Sequence, residues 1–466
     1  MPNAKTLEKR QTQLFVDDEW IADSNRVGRR WFSPRKFPKP VLVADRPYEE
    51  QCPVLWGGVL RDSSGTFRMW YTNWCRNISG GNVCYAESDD GVVWRKPSLG
   101  ICRSDGSKDN NICLSLAHGI DGVNLIEDHE DAAFPLKMVF YSSADVPGGQ
   151  EGRGLFAARS NDGLGWELLK DAPLLVGFGD RTTAVGQRVD GKFVAFSRHI
   201  EATQKYGMRT INRTESEDLV HWSKPQLVLK PDVEDPPNME FYGMVVFPYA
   251  GRYLGALERM HRVPDVVDTE VAISKDTKTW ERTHARECFI PRGEKGTWES
   301  DWVNPAHTPP IRVANNLYIY YSGRSGAHAV PYPLTQGAIF LSLLRLDGFA
   351  ALEADFHEGW VLTPPIRWPG GDLAINADTQ RTLDSHPGLH HGEVRVELTD
   401  PEGKPLVGFE REACEPMVGH FYAAQGEQET GVVRWGEKTM AQLAGKTICI
   451  KFYLRYARIY GFRACE

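Results

Sequence analysis

The chain repeats one piece of punctuation five times, each time after a strand-like run. The copies are Ser88-Asp89-Asp90-Gly91-x-x-Trp94, Ser160-Asn161-Asp162-Gly163-x-x-Trp166, Ser216-Glu217-Asp218-x-x-x-Trp222 and Ser274-Lys275-Asp276-x-x-x-Trp280, with a decayed fifth, Arg345-Leu346-Asp347-Gly348-Phe349. Wide self-similarity of this kind is the mark of a repeat architecture. A spacing of roughly 55 to 70 residues suits four strands plus loops per unit rather than a short solenoid coil. Four-stranded sheets repeated about an axis make a β-propeller. Asp-Gly supplies a tight turn, because Gly accepts positive φ and Asp bonds the turn backbone. The Ser hydroxyl bonds the same corner, and the Trp ring packs between sheets. The boxes therefore identify a fold and carry no chemistry.

The runs between boxes agree. Val54 to Leu60, Gly122 to Ile126, Ala184 to Val189, Phe241 to Phe247 and Thr308 to Val313 read as the inner strands of five units. No long amphipathic helical pattern competes with them. The expected class is all-β: residues 45–354 form a five-bladed propeller and 355–466 a β-sandwich. Residues 1–44 are expected to add strands to one or the other. In the last segment, alternation of Val394, Val396 and Leu398 marks half-buried strands.

Composition bounds the function. A net charge of −8 and spread charges argue against a nucleic-acid partner, which calls for a basic face. No apolar run is long enough for a membrane span. Nine cysteines are scattered without a CxxC pair, so free thiols are expected and no metal site or cofactor is implied. Met1 to Gln13 lacks an apolar leader, which reads as cytoplasmic unless a secretion signal was trimmed.

With the Ser-x-Asp-Gly-x-x-Trp corners on a propeller and a sandwich after it, the chain resembles the glycoside hydrolases of families 32, 43 and 68, the family 32 layout most. The family 32 motifs Trp-x-Asn-Asp-Pro-Asn-Gly, Arg-Asp-Pro and Glu-Cys are absent. The resemblance implies a carbohydrate substrate and a glycosidic bond cut by two carboxyl groups across it, with exo action on an oligo- or polysaccharide. In such enzymes the acids stand at the starts of inner strands. Here those positions hold Glu49 and Glu50, Asp121, Asp180, Glu240, and Glu299 with Asp301. Carried by blade position, the catalytic set is Glu49 (Glu50 as alternate), Asp180 and Glu240. The blade-one residue is usually Asp in the resembled families. Glu240 lies between Met239 and Phe241, whose apolar surroundings would favour the protonated form a general acid needs. Asp180 beside Arg181 suits an ionised stabiliser. Trp298 offers a flat ring, and Arg198-His199 and Arg259-Met260-His261 end matching strands of adjacent blades. Arg181, Arg198, His199 and His261, with Glu50, Asp121, Trp298, Glu299 and Asp301, complete the expected substrate site. Phosphorolysis on the same fold, or carbohydrate binding without catalysis, are the alternative readings.

Overall fold

The computed structural model describes residues 4–49, 52–74, 81–146, 150–201, 207–283, 285–328, 330, 335–379, 392–423 and 431–465. Its regular structure is almost entirely strand, with three short 3-10 turns at Pro47–Glu49, Arg411–Ala413 and Met440–Leu443. Among these residues no helix is long and apolar enough to cross a membrane. The chain divides into two compact units, Ser33–Val313 with Tyr318–Leu343, and Met1–Phe32 with Ala314–Leu317 and Leu344–Glu466.

The larger unit is a propeller of successive antiparallel meanders. The first pairs Pro53–Arg61, Phe67–Trp74, Gly81–Ser88 and Ile112–Leu114. The second pairs Asp121–Glu127, Leu136–Val146 and Gln150–Ser160, with Glu167–Leu168 and Leu175–Val176 outside. The third pairs Thr182–Ala184, Phe193–Glu201, Met208–Ser216 and Gln226–Leu229, and the fourth Met239–Tyr249, Arg252–His261, Val266–Ser274 and Glu281–Arg282. The fifth pairs Trp302–Pro305, Asn316–Arg324 and Gly337–Arg345, and its outer strand is Arg35–Lys36 from the start of the unit. A sheet edge that would otherwise invite foreign pairing is thus covered by the chain's own N-terminal side. At the axis the ring closes where His307 N donates to Gly57 O (2.7 Å) and Val59 N to Thr308 Oγ1 (3.0 Å).

The expected inner strand of the fifth blade, Thr308 to Val313, is displaced. Trp302–Pro305 holds the inner position and Ile311–Val313 pairs the same neighbour after a break. Pro309 and Pro310 cause the break, since neither has an N–H for the ladder. The third inner strand is likewise earlier, Thr182–Ala184 rather than Ala184 to Val189.

The repeated boxes work as corners. Asp90, Asp162, Asp218 and Asp276 each accept two backbone N–H bonds from the residues that follow, between 2.8 and 3.0 Å. The residue after each Asp has positive φ: Gly91 75°, Gly163 79°, Leu219 66° and Thr277 64°. Gly suits that conformation, and two of the corners tolerate a side chain there because the Asp bonds hold the turn. The box Trp rings pack as expected, and the indoles of Trp166, Trp222 and Trp280 donate within their own corners. The corners also tie blades together. Trp70 of the first blade donates to Gly163 O of the second (2.7 Å), and Tyr320 of the fifth to Gly91 O of the first (2.7 Å).

The smaller unit is a sandwich of two six-stranded sheets. Val394, Val396 and Leu398 point inward with Ile450, Phe452, Leu454, Ile459 and Phe462, as the period-two alternation requires. It is not purely C-terminal: Gln13–Leu14 pairs with Gly461 and Phe462, and Gly28–Trp31 pairs with Ala350–Glu353.

Candidate functional site

Inner strands in this fold run out from the axis, so residues at their starts, and at the ends of the paired second strands, share one mouth. Three of the inner strands carry a β-bulge there, between Val54 and Gly58, Asp121 and Asn124, and Phe241 and Gly243. A bulge leaves residues out of the ladder and re-aims them. The residues left out of register include Trp56, Val123 and Tyr242.

The axis holds a polar network without exposure to water. Arg181 is 1% exposed and Glu258 is fully buried. The Arg181 guanidinium grips the Glu258 carboxylate with two N–H bonds, from Nε (2.8 Å) and from Nη2. Asn304 Nδ2 donates to the same carboxylate (2.9 Å). Arg181 Nη1 meets His307 Nε2, and His307 Nδ1 lies 2.6 Å from Val123 O. A carbonyl only accepts, so Nδ1 carries the proton and Nε2 accepts from Arg181. Burial, then the Arg181 charge, pushes the His307 imidazole well below its ordinary range, which keeps it neutral. The face of Trp56 covers the guanidinium at 5.4 Å. Five blades contribute to this cluster.

At the mouth stand Asp121 and Asp180, at the starts of adjacent inner strands. Their backbones touch: a Cβ on Gly122 would lie 2.7 Å from Asp180 O, and Gly122 has φ +56°. Asp180 is ion-paired with Arg198, whose guanidinium lies 4.6 Å over the Tyr242 ring. Burial, then the neighbouring Asp180 charge, pushes the Asp121 carboxyl well above the usual carboxylate range, against the opposing pull of Gly122 N–H, Arg181 and Arg198. Tyr242 itself is pushed up to about 12, chiefly by burial. Around it, Trp302 packs edge-on at 4.9 Å, and His328 stacks on Trp302 at 5.2 Å. Arg324 covers Trp302 at 4.2 Å. Burial lowers the His328 proton affinity, and the charges of Arg209, Arg198 and Arg324 add to that against Asp265.

Glu240 stands on the fourth inner strand, but not in the apolar setting its neighbours suggested. Met239 and Phe241 face the core between blades three and four, and alternation turns Glu240 the other way. There it pairs with Arg209 (2.5 Å) and Arg262 (3.5 Å). At 8% exposed, the Glu240 carboxylate is enclosed by guanidinium groups rather than by apolar side chains.

Other expected site residues are engaged elsewhere. Glu49 is fully buried inside the first blade and accepts from Tyr71 OH (2.6 Å), Lys96 Nζ (2.6 Å), Asp45 N (3.0 Å) and Arg46 N (3.1 Å). With its lone pairs taken, it anchors the entrance to the first strand and is not brought together with Asp180 or Glu240. Arg181 belongs to the axial network rather than to an open surface. Glu299 accepts from Lys36 Nζ (2.7 Å) and Tyr321 OH (2.8 Å), fastening the outer strand of blade five. Asp301 accepts from Ser300 Oγ (2.6 Å) and Gly326 N (2.8 Å), closing a loop. His261 pairs with Asp268 (3.1 Å), which also holds Arg259 (2.7 Å), so that Arg-His pair is internally satisfied. Trp298 is 38% exposed in the loop before the fifth inner strand. Glu50 and the side chain of His199 lie outside the described residues. Missed by the sequence reading were Glu258, Tyr242 and His307. The signal for Glu258 was an acid directly after the apolar Leu254-Gly255-Ala256-Leu257 run, inside a strand.

No family model matches the chain, and no curated protein matches it. Among solved structures it is similar to a β-1,2-mannobiose phosphorylase from Listeria innocua in complex with β-1,2-mannobiose, at 12% identity over 68% of this chain and 98% of that one, with a TM-score of 0.48. It is similar to an N-acetylgalactosamine deacetylase from F. plautii in complex with blood group B trisaccharide, at 14% identity over 73% and 95%, with a TM-score of 0.45. It is also similar to a thermostable family-43 glycoside hydrolase, at 17% identity over 65% and 92%, with a TM-score of 0.43.

Proposed function

We propose that the protein cleaves a glycosidic bond at the propeller mouth, with Asp121 as proton donor and Asp180 as its charged partner. One observation carries this reading: two carboxyls stand at adjacent inner-strand starts, and burial and the other's charge favour the protonated form of one of them. Paired groups whose environments push them apart in proton affinity are the signature of an acid and base assignment. Glu240, clamped by Arg209 and Arg262, is the second carboxylate, suited to bind sugar hydroxyls or to orient the attacking group. Tyr242 and Trp302 are packed edge-on in the apolar cluster beside this site.

Hydrolysis is the first reading. Phosphorolysis is the second, favoured by the charges of Arg198, Arg209 and Arg324 that converge on His328; such a cluster suits an incoming phosphate. The test is reducing-sugar release from a panel of oligosaccharides and aryl glycosides, with and without inorganic phosphate. Release by the wild type that falls ~10²- to 10⁴-fold in D121N supports the reading. Release that needs phosphate selects the second form. No cleavage across the panel, with unchanged sugar binding in D121N and D180N, would leave a carbohydrate-binding propeller instead.

A further inference from the structure

The buried Arg181–Glu258 pair has no chemistry of its own within reach of solvent, yet it costs the fold a great deal to keep. Two ions removed from water carry a large desolvation penalty, and apolar replacements of such pairs are often as stable. The arrangement is also demanding around its edges. Gly243 must lack a side chain, since a Cβ there would lie 2.5 Å from Glu258 Oε2 and 2.8 Å from Arg181 Cγ. His307 is held in one tautomer to accept from Arg181.

What the pair controls lies one peptide bond away. Asp180 precedes Arg181, and the backbone of Asp180 packs directly on Gly122, the residue after Asp121. Thr182, which follows Arg181, accepts through its carbonyl from Asn124 Nδ2 (2.9 Å), and Asn124 Oδ1 in turn accepts from Ala184 N (2.9 Å). The two acid-bearing strand starts are therefore stapled together, and Arg181 is the side chain that fixes the staple to the axis. We infer that Arg181, held by Glu258, Asn304 and His307, is a positioning residue that sets the geometry of the Asp121–Asp180 pair and, as the buried cation beside it, decides how readily Asp121 gives up its proton.

This inference rests on the proposed role of Asp121. The groups that act on the Asp121 carboxyl are the Gly122 N–H, Arg181 and Arg198, which favour its ionised form, and Asp180, which opposes it; Tyr242 shares the same field. Loss of the Arg181 charge therefore makes Asp121 hold its proton to higher pH. Loss of the fork alone, with the charge kept, disturbs placement and leaves the proton affinity nearly as it was.

The experiment uses the full chain in three forms: wild type, R181K, and R181M/E258L, which removes the pair as a unit so that no charge is left buried alone. The carboxylic C=O stretch assigned by its loss in D121N is followed by infrared spectroscopy against pH. The expected result is a midpoint moved to higher pH in R181M/E258L and close to wild type in R181K. On a glycoside that the wild type cleaves, kcat in R181K falls by ~10²-fold with KM little changed, the cost of slight misplacement. A folded R181M/E258L with an unmoved midpoint would overturn the inference. So would an R181K midpoint displaced from that of wild type by about one pH unit or more, since R181K keeps the charge and reads the question even if the double variant does not fold. The infrared midpoint needs no turnover, so failure to find any cleaved glycoside would count against the proposed function and not against the coupling of Arg181 to Asp121.

Discussion

Gly243→Ala is the sharpest perturbation of the axial network. The added Cβ would stand 2.5 Å from Glu258 Oε2, and 2.8 and 3.0 Å from Arg181 Cγ and Nε. Ordinary contact begins near 3.4 Å, so the methyl is short of room by 0.9 and 0.6 Å at the first two atoms. Neither neighbour can retreat, because Glu258 is 0% and Arg181 1% exposed. Overpacking costs about 1–3 kcal/mol, and a misaligned buried ion pair raises that toward the loss seen when such a pair is broken, about 3–5 kcal/mol. Taking about 3 kcal/mol, and roughly 2 °C per kcal/mol for a unit of this size, the propeller transition drops by about 6 °C. Gly186→Ala is the control. Its Cβ would meet Pro309 Cδ at 3.5 Å and Leu125 O at 3.6 Å, which is ordinary contact, so its effect should stay within about 0.5 kcal/mol. Scanning calorimetry of the three proteins reads both transitions. A Gly243→Ala protein that melts together with wild type would refute the claim that the network is closed and rigid.

Further outcomes follow from the same coordinates. E49Q should lower stability by about 1–3 kcal/mol, because Lys96 loses its buried partner, while turnover per folded molecule stays unchanged; a specific loss of kcat would return Glu49 to the catalytic set. W70F removes one of the two donors to Gly163 O and leaves Trp166 Nε1 (3.0 Å) in place, at a cost of about 0.5–1.5 kcal/mol in urea unfolding; an unchanged midpoint would show that the first two blades are not tied there. For D276A the effect depends on pH. The backbone N–H of Thr279, with that of Lys278, holds the Asp276 carboxyl below the usual carboxylate range. A carboxyl with lowered folded proton affinity adds stability above its unfolded value and loses it as pH falls through the folded one. The D276A penalty, about 1 kcal/mol near neutrality, should therefore fade as pH drops below about 4; a penalty independent of pH would mean that the corner bonds are not charge-assisted.

The corners were legible in the sequence because their chemistry is local. Ser274, Asp276 and Trp280 act on atoms within six residues of one another, so spacing alone reveals them. The alternation of Val394, Val396 and Leu398 was legible for the same reason. The outer strand of blade five was not, since Arg35–Lys36 pairs with residues three hundred positions away and has no local signature. For the candidate site, positions along the strands were legible and the surroundings of the side chains were not. Asp121, Asp180 and Arg198 stand where strand starts and strand ends placed them. Glu240 was placed correctly along the chain and misread in character, because a strand residue's neighbours in sequence face the opposite side. Glu49 was misread because a single 3-10 turn before the first strand rotates it into the blade. Tyr242 and the axial cluster of Glu258 and His307 depend on bulges at Val54–Gly58, Asp121–Asn124 and Phe241–Gly243, and nothing in a slip of one or two residues in the pairing announces itself in sequence.

Whether Asp121 is the proton donor can be read from one comparison. D121N is assayed on two glycosides of the sugar that the wild type cleaves, one with a dinitrophenyl leaving group and one with methyl. A dinitrophenolate needs no proton, and a methoxide does. The loss in kcat/KM should be ~10²- to 10⁴-fold on the methyl glycoside and slight on the dinitrophenyl one. Equal losses on both, or full activity on the methyl glycoside, would contradict the assignment and remove Asp121 from the reaction.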